Sequence, residues 1–261
     1  MDFSQFGELV RTTDDSYTVR HPAHGECYHS YDGADKEAVD LYVDASGFGG
    51  DLMERPLSVA DIGLGLGYNV KATVAAWLAC KKPHDLEILS LEIDEKLVQA
   101  LATGKAPWQK GWNLDVTGVF QSLQKQADKD AGIPDWADAV WGCKVFHPGS
   151  VGGSREKATL KWQVIVGDAR KCERFPESSL VQGDEAGWRY VWQDPFSPEK
   201  NPGMWSVGWF KLLRPALAHD SKLMTYSVSS KTRSALTGAG FRVEKIPTTT
   251  RKRHWLKATL S

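Results

Sequence analysis

Between residues 57 and 69 the chain reads Leu57-Ser-Val-Ala-Asp-Ile-Gly-Leu-Gly-Leu-Gly-Tyr-Asn69. Its first six residues form a short apolar run that is typical of a buried strand. The residues after the glycines place apolar side chains at helical spacing, which predicts a helix from about residue 68 to residue 80. Because glycine permits a tight backbone turn, the stretch predicts the strand, turn and helix that open a βαβ unit.

The glycine turn also predicts a ligand site at the start of that helix. Gly63, Gly65 and Gly67 would let a ligand approach the backbone and meet the positive end of the helix dipole. The dinucleotide fingerprint requires Gly-x-Gly-x-x-Gly, whereas residue 68 is a tyrosine. Asp61 at the head of the turn would repel a pyrophosphate but hold a cationic amino group. The pattern therefore favours the methionine end of S-adenosylmethionine as the ligand.

Acidic residues end the next two predicted strands as well. The strand from Leu86 to Leu91 is followed by Glu92, whose carboxylate can accept hydrogen bonds from both hydroxyls of a ribose. The strand from Trp162 to Val166 is followed by Asp168, which can accept from the exocyclic amine of an adenine. Since open α/β sheets bind ligands beyond the carboxyl ends of their strands, these acids together predict one adenosyl ligand.

The fourth strand end carries the most specific motif, Gln193-Asp-Pro-Phe-Ser-Pro-Glu-Lys-Asn-Pro-Gly-Met-Trp205, directly after the apolar run from Trp188 to Trp192. Pro195 biases Asp194 toward an extended conformation, so that a stiff backbone presents its carboxylate. Together with the neighbouring aromatic rings, the motif predicts a pocket with a rigidly held acid. The alternative is an ordinary connection in which Pro202 begins the next helix.

The length of 261 residues suits one α/β domain, residues 1–261, with an inserted subregion. Residues 1–50 are predicted to form an N-terminal β-hairpin over 8–21 and a helix over 33–43. From residue 104 to residue 161 the alternation of strands and helices lapses into a tryptophan-rich segment. Such a length without regular structure predicts an insertion or lid, in which a tryptophan could pack in the core or stack on a target base.

The C-terminal third returns to regular structure. Strands are predicted near residues 188 and 222, and helices near 203–213 and 230–238. The segments Phe241–Ile246 and His254–Leu260 are joined by a short threonine-rich connection, so we expect an antiparallel pair at the end of the sheet.

The chain resembles a known family at several of these points: the Asp61–Gly67 turn, the 193–205 motif, Thr225-Tyr226-Ser227, Ala239-Gly-Phe241 and Arg251-Lys-Arg253. From about Gly25 to Leu260 it is similar to the methyltransferase half of MnmC, the bacterial enzyme of wobble-uridine modification in tRNA, and it looks like the stand-alone form. The resemblance implies an α/β, Rossmann-like, seven-stranded S-adenosylmethionine-dependent methyltransferase sheet. It also implies methyl transfer to the amine of 5-aminomethyl(-2-thio)uridine at position 34, giving the 5-methylaminomethyl nucleoside.

The resemblance and the strand ends together define the expected site. Asp194 matches the active-site aspartate of the family. The residues expected to bind S-adenosyl-L-methionine are Asp61, Gly63, Gly65, Gly67, Asn69, Glu92, Asp168, Ala169, His29, Ser30 and Gln193. The residues expected to bind the substrate are Phe196, Lys200, Asn201, Trp205, Arg251, Lys252 and Arg253. No histidine or cysteine group has the spacing of a metal site, so no metal is expected.

One departure from the family leaves the acceptor open. Position 195 is proline where alanine or glycine is common in the family, which makes the site look more like the Asp-Pro-Pro-Tyr turns of other amino-methyltransferases. The acceptor amine could therefore belong to another nucleobase or to a protein side chain. A third alternative is a non-catalytic module that binds S-adenosylmethionine.

The charge balance restricts how a tRNA could bind. With 32 basic and 33 acidic residues the chain has a net charge of −1, which does not suit binding by bulk charge, because phosphate contacts dominate such affinity. A local basic patch is expected instead, with a solvated edge as the alternative. Its candidate residues are Arg251, Lys252, Arg253, His254, Lys200, Lys231, Arg233 and Lys245.

The remaining features concern location and partners. Four cysteines without a Cys-x-x-Cys pair and the lack of a signal segment predict a reduced, cytoplasmic protein that contacts no membrane. The chain ends at Ser261 without the FAD-dependent oxidase half of the bifunctional family members. We therefore expect a separate enzyme to supply the aminomethyl intermediate.

Overall fold

The computed structural model describes residues 1–126, 134–148, 157–181, 183, 186–248 and 254–261. The strands are β1 (Glu8–Arg11), β2 (Tyr17–Arg20), β3 (Leu57–Ile62), β4 (Leu86–Glu92), β5 (Gln124–Lys125), β6 (Ala137–Phe146), β7 (Thr159–Gly167), β8 (Trp188–Gln193), β9 (Leu217–Thr225), β10 (Phe241–Pro247) and β11 (His254–Leu260). The α-helices are α1 (Ala34–Ala38), α2 (Phe48–Asp51), α3 (Tyr68–Ala79), α4 (Glu95–Ala102), α5 (Leu114–Gln121), α6 (Val207–Leu213) and α7 (Ser230–Gly238).

A nine-stranded sheet in the described part of the chain has the order β10-β11-β9-β8-β3-β4-β7-β6-β5. Strands β9, β8, β3, β4 and β7 are parallel, whereas β11 lies antiparallel to both β9 and β10. The predicted seven-stranded sheet is confirmed as the part from β10 to β7, closed by the expected antiparallel pair. All parallel strands thus present their carboxyl ends at one edge.

The segment from residue 104 to residue 161 adds strands to the sheet. Strand β6 pairs antiparallel with β7 from Ala137↔Gly167 to Phe146↔Thr159, and β5 pairs with β6. Trp108 is buried in the core, so it is not free to stack on a base. Residues 127–133 and 149–156 of the predicted lid lie outside the described part of the chain.

Strand β3 lies at the centre of the fold because its side chains are apolar or small on both faces. All six of its residues are buried between the two layers of helices. Leu57 and Val59 pack into one core, and Ala60 and Ile62 pack into the other, as the two-residue period of a strand requires. This position holds the glycine turn that follows Ile62 in the middle of the carboxyl edge.

The N-terminal hairpin, formed by β1 and β2, lies beside the start of α3. The Tyr68 hydroxyl lies 2.7 Å from the carbonyl oxygen of Tyr17 and accepts a hydrogen bond from the backbone N–H of Tyr17 at 3.2 Å. The predicted helix over 33–43 begins at Ala34 and changes to a π-helix over Val39–Asp44. Because Tyr68 contacts the hairpin, the segment after β2 is directed across the carboxyl edge of the sheet.

A helix must be both long and apolar to cross a lipid bilayer. Within the described residues, no helix is both long and apolar enough to span a bilayer.

Candidate active site

A cavity of about 770 Å³ opens at the carboxyl edge of the sheet. Its floor is formed by the glycine turn after β3 and by the residues that follow β4, β7 and β8. Residues of the segment from Arg20 to Asp32 form much of the opposite wall. None of the described residues from 104 to 161 lines the cavity, whereas the N-terminal segment forms part of its wall.

Two glycines of the turn form a cradle in the cavity wall. Gly63 and Gly65 have φ angles of 89° and 53°, which side chains rarely adopt. A Cβ at Gly63 would lie 3.1 Å from the Cα of Pro195, and a Cβ at Gly65 would lie 3.2 Å from the Tyr28 ring. A backbone approach of this kind fits the predicted ligand, because side chains would fill the space that it needs.

Gly67 is buried against neighbouring side chains at the start of α3. Its φ angle is 83°, and a Cβ there would lie 2.9 Å from the Phe120 ring and 3.2 Å from Leu101. It does not line the cavity. Gly67 therefore permits close packing at the N-terminus of α3, and the structure does not bring it to the cavity.

Glu92 lines the cavity as predicted. One carboxylate oxygen accepts from the backbone N–H of Gly65 at 2.8 Å, and the other accepts from Ile93 at 2.8 Å and from Asp94 at 3.0 Å. Burial raises the pKa of Glu92, while these backbone donors act in the opposite direction. The carboxylate is thus fixed beside the glycine turn, where its remaining lone pairs can accept from ribose hydroxyls.

Asp168 also lines the cavity, but it has a partner within the chain. Arg170 donates to both of its oxygens, from Nε at 2.7 Å and from Nη2 at 2.8 Å. This ion pair lowers the pKa of Asp168. An adenine amine would have to share the carboxylate with Arg170 or displace the guanidinium. The next residue, Ala169, lines the cavity with a small side chain.

Asp61 is fully buried behind the turn and does not line the cavity. Neither of its carboxylate oxygens has a hydrogen-bond partner of normal geometry among the described residues. Burial raises its pKa to about 7, and the nearby charge of Asp194 acts in the same direction, whereas Ser90 and Asn69 oppose it. The predicted direct contact of Asp61 with a cofactor is therefore not available in this arrangement.

Asp194 lines the cavity next to the glycine turn. Its backbone N–H donates to the carbonyl oxygen of Ile62 at 3.0 Å, so the chain leaves β8 in register with β3. Asn69 donates from Nδ2 to Asp194 Oδ2 at 2.8 Å. Asn69 was predicted to bind the cofactor, but it is buried and does not line the cavity. Its amide instead contacts the candidate catalytic carboxylate.

Two further residues of the 193–205 motif support the site from behind. Gln193 is fully buried, donates to the carbonyl oxygen of Met204 at 2.8 Å and accepts from Trp209 at 3.2 Å. Trp205 donates from Nε1 to the carbonyl oxygen of Phe196 at 2.8 Å. Neither side chain lines the cavity. Both therefore hold the shape of the motif, where the sequence predicted contacts with cofactor and substrate.

An aromatic cluster at the mouth of the cavity was not expected from the sequence. The ring of Phe196 lies 4.5 Å from that of His24, 4.9 Å from that of Tyr28 and 5.3 Å from that of His21. Glu26 joins the same two segments, because Ser197 donates from Oγ to Glu26 Oε1 at 2.7 Å. These partners are far from Phe196 in sequence, and only the spacing of aromatic residues over 21–28 gives a signal for them.

The other predicted residues fall into two groups. His29, Ser30, Lys200 and Asn201 all line the cavity. Arg251, Lys252 and Arg253 lie outside the described residues.

Two buried tyrosines complete the surroundings of Asp194. Burial and the charge of Asp194 raise the pKa of Tyr42 and of Tyr226. Tyr226 lines the cavity and donates to the carbonyl oxygen of Pro195 at 2.9 Å, which fixes the turn after Asp194. The local pattern of the Thr225-Tyr226-Ser227 stretch did not predict that Tyr226 lies in the site.

Comparison with known proteins agrees with the fold. Residues 147–261 match a family described as S-adenosyl-L-methionine-dependent methyltransferase. The chain is 32% identical over 237 residues to the tRNA 5-methylaminomethyl-2-thiouridine biosynthesis bifunctional protein MnmC of Azoarcus sp. (strain BH72), covering 90% of this chain and 33% of that protein. The corresponding protein of Acidovorax sp. (strain JS42) is 28% identical, covering 93% of this chain and 34% of that protein.

A solved structure has the same fold. The crystal structure of MNMC2 from Aquifex aeolicus superposes with a TM-score of 0.67 at 24% sequence identity, covering 97% of this chain and 70% of that chain. The chain spans about one third of the length of the curated relatives named above. The predicted resemblance is thus confirmed, and the predicted cofactor agrees with the family description. Residues 147–261 are thus matched by a family of S-adenosyl-L-methionine-dependent methyltransferases, and the chain is similar over 90% of its length to the MnmC protein of Azoarcus sp. (strain BH72).

Proposed function

We propose that the chain is a tRNA methyltransferase that transfers a methyl group from S-adenosyl-L-methionine to the amine of 5-aminomethyl(-2-thio)uridine at position 34, giving 5-methylaminomethyl(-2-thio)uridine. The observation that carries this proposal is that the Asp194 carboxylate and the Gly63–Gly65 cradle line one continuous cavity. A cofactor on the cradle and an amine on the carboxylate would therefore meet without a barrier between them. The names of the MnmC relatives supply the substrate class.

The residues that would hold the cofactor are those that line the cavity beside the glycine turn. Gly63 and Gly65 would receive its methionine part, and Glu92 would accept from its ribose. Asp168 and Ala169 would face its adenine, with Arg170 as the competitor for Asp168. When bound, S-adenosylmethionine supplies a methyl group on a positively charged sulfur. A volume of about 770 Å³ can hold a nucleoside-sized ligand and an acceptor group together.

The charge of the cavity favours a cationic acceptor. Its acidic lining residues in the described chain are Glu26, Asp32, Glu37, Glu92, Asp94, Asp168 and Asp194, and its basic ones are Arg20, Arg170 and Lys200. A primary alkylamine resembles lysine, with a pKa of about 10.4, and enters mostly as an ammonium. An excess of carboxylates attracts such a group, although it would repel an anionic one.

We assign Asp194 the task of holding and aiming the amine. A carboxylate with an ordinary pKa of about 3.9 is a weak proton acceptor for an amine of about 10.4, so orientation is its main contribution. Desolvation by the cavity walls lowers the pKa of the amine, whereas the nearby carboxylates raise it, and the amine passes its proton to solvent water before it reacts. With S-adenosylmethionine bound, the amine nitrogen would take the methyl group as the carbon–sulfur bond breaks, and S-adenosylhomocysteine would be released.

A local basic patch would contact the tRNA around this cavity. Lys200 and Arg20 lie at the cavity and could bind phosphates next to the target nucleotide. Arg251, Lys252 and Arg253 remain candidates for the same patch. We further propose that the protein acts in the cytoplasm and that a separate enzyme supplies the aminomethyl substrate.

Two variants of Asp194 test the proposal. Asp194→Asn keeps the shape but loses the charge, and Asp194→Ala loses both, so each should slow methyl transfer by about 10²–10⁴-fold with cofactor affinity nearly unchanged. Asp115→Asn, at an exposed position on α5, is the matched control. Near wild-type single-turnover rates in Asp194→Ala would reject the assignment. Transfer of labelled methyl groups to DNA or protein, but not to tRNA, would move the acceptor to another class.

A further inference from the structure

We propose that Asn69 is a positioning residue for methyl transfer, whose side-chain amide fixes the Asp194 carboxylate against the acceptor amine. It was expected among the cofactor ligands, and the structure indicates a different role. This inference rests on the proposed function, because it concerns the same carboxylate.

The contact between the two side chains is direct and sheltered. Asn69 Nδ2 lies 2.8 Å from Asp194 Oδ2, and Asn69 is only 2% exposed. A hydrogen bond to a charged acceptor is stronger than one between neutral groups, and burial protects it from competition by water. The carboxylate of Asp194 therefore has one preferred rotamer before any acceptor arrives.

The backbone on both sides of this contact is fixed as well. Asn69 lies in the first turn of α3, two residues after Gly67, which begins the helix with a φ angle of 83°. Asp194 is held by its backbone bond to Ile62, and the next carbonyl accepts from Tyr226. With this backbone fixed, the side chain of Asp194 can still rotate, and the Asn69 amide is one of the groups that restrict it.

The amide of Asn69 also faces a second carboxylate. Asp61, on β3, lies within the influence of both Asp194 and Asn69. The carbonyl oxygen of the Asn69 side chain has no hydrogen-bond partner among the described residues, so the amide is oriented by its N–H groups alone. The hydrogen bond that Asn69 donates stabilises the negative charge of the Asp194 carboxylate.

Other titratable groups lie near Asp194 and must be considered when the pH dependence of methyl transfer is interpreted. Tyr42 of the π-helix and Tyr226 after β9 both feel its charge. Glu37 and Glu26 act on Tyr226 from the N-terminal segment. All of these groups are present in both wild type and Asn69→Ala, so a difference in pH profile between the two proteins reports on the loss of the Asn69 amide.

Asn69 also connects the glycine cradle with the Asp194 carboxylate. The same short segment carries the glycine cradle at Gly63 and Gly65 and, four residues later, the amide that holds Asp194. The hydrogen bond thus joins two positions that are 125 apart in the sequence. The distance between the cofactor cradle and the acceptor carboxylate is therefore set by one rigid turn.

The test compares Asn69→Ala and Asn69→Asp with the wild-type protein. Asn69→Ala should slow single-turnover transfer by about 10–100-fold, the scale of a lost hydrogen bond to a charged group. Asn69→Asp replaces the donor with a like charge and should slow it further. Affinity for S-adenosylhomocysteine, measured by calorimetry, should stay within twofold in Asn69→Ala. Asn113→Ala, which removes an exposed amide at the start of α5, is the control.

Two readouts separate positioning from general damage. In the Asp194→Ala background, Asn69→Ala should change the rate by less than twofold, because its effect passes through the missing carboxylate. In cofactor-free protein labelled with ¹³C at aspartate carboxyls, the Asp194 resonance should titrate at higher pH in Asn69→Ala than in wild type. Asp194→Asn assigns that resonance.

Three results would overturn the inference. The first is a tenfold or greater loss of affinity for S-adenosylhomocysteine in Asn69→Ala, with an unchanged rate of methyl transfer at saturating cofactor. This result would indicate that Asn69 binds the cofactor. The second is an equal loss of rate with and without Asp194. The third is an unchanged carboxylate titration. If wild-type protein transfers no methyl group to tRNA, the proposed function fails, whereas the titration still decides the role of Asn69.

Discussion

Replacing Asp61 with asparagine should make the protein more resistant to unfolding, and increasingly so as the pH rises. Asp61 is fully buried, its oxygens lack partners of normal geometry in the described chain, and burial raises its pKa from 3.8 to about 7. Between those values the folded protein retains a proton that the unfolded chain releases, so the free energy of unfolding falls as pH rises. About three pKa units correspond to about 4 kcal/mol at 1.36 kcal/mol per unit.

The assay is urea unfolding of cofactor-free wild-type and Asp61→Asn proteins from pH 4 to pH 8. The difference in free energy of unfolding should shift in favour of the variant by about 4 kcal/mol across this range, with most of the change complete by pH 7. Asp115→Asn controls for the loss of an exposed carboxylate. A difference between Asp61→Asn and wild type that does not vary with pH would show that Asp61 is ionised in the folded protein, and would refute the reasoning.

Three further predictions concern binding. Glu92→Ala should lower the affinity for S-adenosylhomocysteine by about 10–100-fold, which is the scale of hydrogen bonds to a charged group. An unchanged affinity in calorimetry would show that Glu92 does not bind the ribose. Gly65→Ala should lower the free energy of unfolding by about 1 kcal/mol and weaken cofactor binding, because Gly65 has a φ angle of 53° and lies next to the Tyr28 ring. Its control is Gly118→Ala, because a Cβ at Gly118 meets nothing within 4 Å. Equal behaviour of the two variants would contradict the role of Gly65 in the cradle. Replacing Arg251 and Lys252 with alanine should raise the KM for tRNA and flatten its salt dependence by about two units of slope, and an unchanged slope would leave them as a solvated edge.

The sequence was informative where local pattern determines structure. The strand, turn and helix around Gly63 were predictable because apolar periodicity and glycine spacing act over a few residues. The acids after β4 and β7 were placed at the cavity because parallel strands end at one edge. Glu92 and Asp168 accordingly line the cavity as predicted.

The misplaced residues show where local pattern is insufficient. Gln193 and Asp194 are neighbours, yet only Asp194 lines the cavity, because Gln193 is the buried last residue of β8 and Asp194 is the first residue after the strand. The contact of Asn69 with Asp194 joins positions 125 apart in the sequence, and no local pattern predicts it. The same holds for the wall formed by Tyr28, which depends on how the N-terminal segment crosses the sheet edge. Long-range packing of this kind leaves no periodic signal.

The central claim is methyl transfer to the amine of the wobble nucleoside, and nucleoside mass spectrometry tests it most directly. The protein is incubated with S-adenosylmethionine and tRNA that carries 5-aminomethyl-2-thiouridine, and the digested nucleosides are compared with those from a reaction with Asp194→Ala. The account predicts that the wild-type protein converts this nucleoside into one heavier by a single methylene group, and that Asp194→Ala does so far more slowly. An unmodified aminomethyl nucleoside after incubation with folded, cofactor-binding wild-type protein would contradict it.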